Sequence, residues 1–152
     1  MPQTYILMMD VDDEFGVLTR ITGRIRREGL NISALSVAQT GIPGISRMTV
    51  RVQMQGSPIE QMINRLSRLD CVKKIQLCEE NTLPIRELAL VCCGTSSPLP
   101  NGETILYQTE NRIYFEKTGT PQELDCYLKE HQSQILEFSR SGAVTIGGKN
   151  HE

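Results

Sequence analysis

The chain has 152 residues, 39% hydrophobic and 22% charged, which is typical of a soluble globular protein of one or two small domains. Its net charge of −2 gives no electrostatic reason to expect nucleic acid or an anionic membrane as a partner. The five cysteines form no CxxC pair, and no run approaches the ~20 apolar residues of a membrane span. We therefore expect a cytoplasmic protein.

The first half of the chain predicts six elements in the order βαββαβ. The expected strands cover 5–9, 32–38, 48–54 and 71–77, and the expected helices cover 16–28 and 58–69. This is the order of the ferredoxin-like split βαβ unit, an antiparallel sheet with both helices on one face. Because the other face and the sheet edges need cover, we expect pairing with another copy.

The second half predicts a shortened copy of the same unit after a linker at 81–84. Strands are expected at 86–93, 104–108, 112–117, 134–138 and 143–146, with a Gly/Ser/Pro-rich loop at 94–102 where the first helix would stand. Capping boxes at Ser57 and Thr120 are expected to open the second helix of each half. The fold class is thus α+β, with a ferredoxin-like domain at 1–80 and a smaller, truncated one at 85–152.

Catalytic and metal sites find little support in the sequence. The two histidines, His131 and His151, have no ligand-type partner at helical spacing. The acidic run 10–14 lacks the glycine and closing glutamate of an EF-hand, and it would repel the phosphate of an acylphosphatase substrate. The adjacent cysteines 92 and 93 lie in an apolar run typical of a buried strand. No P-loop or dinucleotide fingerprint occurs.

Gly16 and Asn31 together are typical of a site for a small zwitterion. Gly16 opens a helix whose free N–H groups bind a carboxylate, and glycine lets a ligand approach the backbone closely. Asn31 heads the next strand and offers both a donor and an acceptor. An α-amino acid needs that set of groups. Spacing alone leaves open the alternative in which Gly16 only starts a helix and Asn31 is a turn residue.

Several segments carry a resemblance to one family. They are DEFGVLTR at 13–20, REGLNI at 27–32, ALSVA at 34–38 and SRMTV at 46–50. On these, residues 4–80 resemble the ACT domain of the acetolactate synthase (acetohydroxyacid synthase) small regulatory subunit. RELALV at 86–91 and FSRSG at 138–142 resemble the family's C-terminal domain, so the resemblance covers nearly the whole chain.

The resemblance implies a noncatalytic chain that activates a large catalytic subunit and senses a branched-chain amino acid, most often valine. The large subunit would hold thiamine diphosphate, magnesium and FAD, and this chain would hold no cofactor. In the family the effector lies at the interface of an ACT-domain dimer. The implied effector-binding residues are Asp13, Phe15, Gly16, Val17, Asn31 and Ile32.

Asp13 departs from the family pattern, which usually has asparagine at this position. Its charge would either attract the ligand's ammonium or repel its carboxylate. Two other hypotheses stay open: a free-standing ACT-domain sensor of another amino acid acting on a different enzyme, and a small enzyme on the ferredoxin-like scaffold. The enzyme hypothesis predicts turnover by the isolated chain.

Overall fold

The computed structural model describes residues 2–56, 58–78 and 84–146. The chain divides into two compact units, residues 1–84 with 144–152 and residues 85–143, and each has its own hydrophobic core. Of the predicted linker at 81–84, only Pro84 belongs to the described residues.

The first unit has the predicted order βαββαβ. Its elements are β1 (Gln3–Asp12), α1 (Val17–Arg27), β2 (Asn31–Gln39), β3 (Ile45–Met54), α2 (Ile59–Ser67) and β4 (Val72–Cys78). The sheet order is β2-β3-β1-β4, and all neighbouring strands are antiparallel. β2 is therefore an edge strand, which matters for the site described below.

Both helices pack on one face of this sheet, as predicted. Alternate residues of β1, such as Leu7 and Met9, are fully buried in one cluster with Ile21 of α1 and Leu66 of α2. The other face also carries buried side chains, among them Met8. The period of two in β1 thus places apolar residues on both sides of the sheet.

The second unit repeats this plan without the first helix, also as predicted. Its elements are β5 (Ile85–Gly94), β6 (Thr104–Gln108), β7 (Arg112–Gly119), α3 (Pro121–Glu130) and β8 (Ile135–Arg140). The two-residue strand β9 (Val144–Thr145) comes next in the chain and is grouped with the first unit. The strands β6-β7-β5-β8 lie side by side in that order. The loop after β5 contributes a buried Leu99 to the core, and the thiol of buried Cys93 donates to its carbonyl oxygen (3.4 Å). Leu99 thus supplies apolar contact where the sequence has no first helix.

The two predicted capping boxes have different outcomes. Thr120 caps α3 as expected, because its hydroxyl accepts from the Glu123 N–H while its own N–H donates to the Glu123 carboxylate (2.8 Å). In the first unit the expected place of Pro58 at the first helical position was wrong, because α2 begins at Ile59 and the extended Pro58 is its N-cap. Ser57 itself lies outside the described residues.

A buried ion pair joins β5 to β8. The guanidinium of Arg140 donates to both carboxylate oxygens of Glu87 (2.9 and 2.8 Å), and it also contacts the Asp125 carboxylate and the Pro121 carbonyl. The Glu87 side chain is only 1% exposed. Hydrogen bonding to Glu87 raises the pKa of Arg140 above its ordinary value, so the guanidinium stays positively charged beside this carboxylate.

Candidate functional site

The N-terminus of α1 lacks a side-chain cap from the described residues, and the Val17 N–H donates to the Glu14 carbonyl at 3.4 Å. Gly16 is the N-cap, with a left-handed φ of +83°, and no side chain caps the helix in the described part of the chain. Space is open where a Cβ on Gly16 would stand. Phe15 is fully exposed, whereas Val17 is buried in the core. The backbone at Gly16 is thus accessible to a small anionic group.

A small cleft of about 100 Å³ lies beside this end of the helix. Its apolar lining consists of Val11, Val17, Leu18, Val37 and Met48. Its polar lining consists of Asp12, Asp13, Glu14 and Ser46. The cleft therefore combines an aliphatic wall with an acidic rim, directly next to the donor groups of α1.

The acidic residues differ in what neutralises them. The Arg47 guanidinium donates to both oxygens of Asp10 (2.8 and 3.1 Å), and the Lys73 ammonium lies 3.3 Å from the Asp12 carboxylate. Asp13 instead accepts a hydrogen bond from the neutral side-chain amide of Gln39 (2.7 Å). Among the described residues, no cation pairs with Asp13. Its negative charge is thus held in place without being compensated.

Asn31 lies at the other end of β2 from this cleft. It pairs with Gln53 of β3, whereas Gln39, at the Asp13 end, pairs with Ser46. The eight residue steps between Asn31 and Gln39 correspond to about 26 Å of strand. Asn31 lines a separate depression of about 310 Å³. Neighbouring Ile32 packs against the core.

The predicted site residues therefore fall into two groups within one chain. Asp13, Phe15, Gly16 and Val17 surround the start of α1, and Asn31 and Ile32 stand at the start of β2. No single chain brings a ligand at Gly16 within reach of Asn31. A site that uses both groups requires a second copy of the chain.

The edge strand β2 carries apolar surface beside the cleft. Val37 of β2 is 44% exposed, Leu18 of α1 is 46% exposed, and Phe15 projects fully into solvent. Within the described ranges β2 pairs with β3 alone, and its outer edge, flanked by exposed apolar side chains, is a ready surface for pairing with another strand.

Comparison with known proteins places the chain in a family. A model described as the AHAS small subunit-like ACT domain matches residues 7–74. The acetolactate synthase small subunit of Mycolicibacterium smegmatis is 33% identical over 154 residues, covering 94% of this chain and 90% of that protein. That of Mycobacterium bovis is 38% identical over 155 residues, covering 95% and 92%. The chain belongs to the acetolactate synthase small subunit family.

The fold of this family extends over both units. The crystal structure of the acetolactate synthase small subunit from Thermotoga maritima matches with a TM-score of 0.81 at 23% identity, covering 97% of this chain and 99% of that one. The ferredoxin-like architecture expected for both halves is thereby confirmed. The described residues of the second unit contain one helix, α3.

Reasoning from the sequence missed several residues of the cleft in this family member. Val37 and Met48 line the cleft, and Gln39 contacts its lining residue Asp13. The strand register brings them there, since Val37 pairs with Met48 and Gln39 with Ser46. The exposed polar Gln39, at the end of an apolar strand and opposite the acidic loop, was the available signal. It could not be used before the order of the strands was known.

Other candidate sites gain nothing from the structure. No group of three or more His, Cys, Asp or Glu side chains that could hold a metal ion occurs among residues 2–56, 58–78 and 84–146. His131 contacts the Tyr127 carbonyl through its Nδ1 (2.9 Å), and His151 lies outside the described residues. Cys92 and Cys93 are buried in β5, as predicted. Within the same ranges no helix is long and apolar enough to span a membrane.

Proposed function

We propose that this chain is the noncatalytic regulatory subunit of an acetolactate synthase, and that it activates the large subunit and senses a branched-chain amino acid, most simply valine, in the cytoplasm. Membership of the small subunit family supports the regulatory role. The observation that carries the sensing role is the uncapped N-terminus of α1 at Gly16, next to an aliphatic cleft.

The ligand's three parts match three features of the cleft. The carboxylate would accept from the N–H groups at the start of α1, where the helix dipole also favours negative charge. The branched side chain would contact Val17, Leu18 and Val37. The ammonium would face the acidic rim. A cleft of about 100 Å³ suits a small aliphatic side chain better than an aromatic one.

A homodimer would complete the site. Asn31 and Gln39 are each four residues from Leu35, so antiparallel pairing of two β2 edges centred near Leu35 would set the partner's Asn31 opposite Gln39. Gln39 is bonded to Asp13, and Asn31 would thus reach the cleft from the other chain. Such a dimer would carry two equivalent sites, as twofold symmetry requires.

The chemistry would belong to the large subunit. In this proposal thiamine diphosphate, magnesium and FAD are bound there, and this chain contributes no cofactor. The chain can activate its partner only by binding the active conformation more tightly than the inactive one. An effector that binds the two conformations of the complex unequally would shift their populations in turn.

Two measurements on purified protein test this proposal. The large subunit should co-purify with a tagged form of this chain. Calorimetry should detect binding of valine, leucine or isoleucine to the chain. If the large subunit is absent from the pull-down while an amino acid still binds, the alternative gains support: a free-standing ACT-domain sensor acting on a different enzyme. Turnover of 2-oxo acids by the isolated chain would contradict both.

A further inference from the structure

The charge on Asp13 has a specific consequence for what the cleft accepts, if the amino-acid site proposed above is correct. We propose that Asp13, oriented by Gln39, holds the effector's ammonium group and makes the site selective for α-amino acids over the corresponding 2-oxo acids. The two classes share the carboxylate and the side chain. They differ only at the α-carbon, where one carries a cation and the other a neutral carbonyl.

The described side chains around Asp13 leave a net negative charge at the rim of the cleft. Arg47 and Lys73 neutralise Asp10 and Asp12, but the described residues supply no cation for Asp13. Glu14 also lines the cleft, so the rim is acidic rather than neutral. A monoanion that enters this cleft meets repulsion from the acidic rim, and a zwitterion offsets that repulsion with its own positive group.

Hydrogen bonds hold both the side chain and the backbone of Asp13. The Gln39 amide donates to Oδ2 of Asp13 (2.7 Å), and the Asp13 N–H donates to the Gly44 carbonyl (2.9 Å). Both the side chain and the backbone of Asp13 are therefore fixed. An amide donor orients a carboxylate without cancelling its charge, which leaves Oδ1 to accept from a cation. A lysine or arginine in place of Gln39 would hold Asp13 equally well, but its positive charge would neutralise the carboxylate.

Asp13 and the N-terminus of α1 can contact different groups of the same ligand. Asp13 precedes the helix N-terminus by four residues and lines the same cleft as Val17 and Val37. The carboxylate of the ligand therefore has its own donors at α1, apart from Asp13. Attraction to the ammonium and binding of the carboxylate can operate together, which favours attraction over repulsion as the role of Asp13.

The test is calorimetry of the full-length chain with valine and with 3-methyl-2-oxobutanoate, its 2-oxo acid. The wild-type chain should bind valine and prefer it to the oxo acid by roughly a hundredfold. Asp13→Asn should weaken valine binding by about ten- to a hundredfold while the oxo acid binds as well as before or better. Asp13→Glu, which keeps the charge, should retain a preference for valine.

Gln39→Leu tests the positioning role of the amide, and Gln61→Leu on the exposed face of α2 is its control. Gln39→Leu should weaken valine binding and leave oxo acid binding unchanged, so that the ratio of the two affinities falls several-fold. Gln61→Leu should leave the ratio unchanged. A structural defect would weaken both ligands together, and this outcome would contradict the role given to Gln39.

The results separate this inference from the proposed function. If Asp13→Asn binds valine as tightly as the wild type with the same ratio, the role of Asp13 is wrong while amino-acid sensing stands. If neither leucine, isoleucine nor valine binds the wild-type chain, alone or with its large subunit, the sensing function and this inference fail together.

Discussion

At the scale of single residues, Gly16 is the position on which the cleft depends most. Its φ of +83° favours glycine, and its missing side chain leaves open the space beside the helix N–H groups. Asn31 has a comparable role only across a dimer, because it stands at the far end of β2. These two residues permit separate tests.

Replacing Gly16 by alanine should block effector binding. The methyl group would stand in the open space next to the N–H groups, and we expect affinity for valine to fall by at least about tenfold in calorimetry. The left-handed backbone also costs about 1–2 kcal/mol of stability in an L-residue. Gly102→Ala is the matched control, since Gly102 has a φ of +81° and equally open surroundings. Equal binding by the wild type and the Gly16 variant would place the carboxylate elsewhere.

Replacing Asn31 by alanine should weaken binding by removing a polar partner of the ligand. The expected loss is about 1–3 kcal/mol, or roughly five- to more than a hundredfold in affinity. Asn64→Ala on the exposed face of α2 should have no effect. Mixed dimers of the Gly16 and Asn31 variants sharpen the test. One of their two sites would combine an intact Gly16 with an intact partner Asn31, so about half of the sites should recover wild-type affinity.

The residues of the cleft show where sequence reasoning ended. The motif around Gly16 located one side of the cleft, because neighbouring residues in the sequence are enough to indicate where a helix begins. Gln39 acts through a side-chain bond to Asp13, 26 positions earlier in the chain. Nothing local in the sequence announces that contact.

At the scale of elements, the strands were longer than predicted wherever a charge is paired inside the sheet. β1 was expected to end at Met9 but continues to Asp12, because Asp10 is bonded to Arg47 of β3 and Asp12 to Lys73. β8 was expected to end at Phe138 but continues to Arg140, whose partner is Glu87 of β5. Polarity alone suggests a loop at these positions, and only the cross-strand partner makes a strand possible.

Removing Arg140 should destabilise the second unit strongly. In Arg140→Met the Glu87 carboxylate would stay buried, and among the described residues the Gly142 N–H would be its remaining donor. We therefore expect about 3–5 kcal/mol less free energy of unfolding in a denaturant titration. Arg86→Met is the matched control. Its guanidinium lies 3.8 Å from Glu123 on the surface, and its loss should cost no more than about 1 kcal/mol. Similar losses in both variants would contradict a dominant role for the buried pair.

At the scale of the whole molecule, the order of elements was predictable from periodicity, and the sheet order followed from the ferredoxin-like plan. What periodicity could not supply is the second copy. The free edge of β2 and the exposed Val37 and Phe15 became visible only with the strand order known. The sequence predicted a dimer only because a sheet edge needs cover. Since Gly16 and Asn31 lie far apart in one chain, the proposed site also requires a dimer.

The isolated chain should therefore be a dimer in solution. Light scattering at micromolar concentration should give twice the 17.1 kDa mass of the chain. Val37→Lys should shift the protein toward the monomer, since it places a charge at the β2 edge. It should also abolish effector binding, because Val37 lines the cleft as well. Leu90→Lys, at a similarly exposed position in β5, is the control. A wild-type monomer that still binds valine through both Gly16 and Asn31 would contradict the shared site.

Regulation of an acetolactate synthase by this chain can be measured directly. The most direct test is the rate of acetolactate formation by the cognate large subunit, with and without saturating small subunit, across a titration of valine. We expect the small subunit to raise the rate and valine then to lower it. Gly16→Ala should keep the activation but lose the response to valine. A rate that does not change when the small subunit is added would contradict the claim.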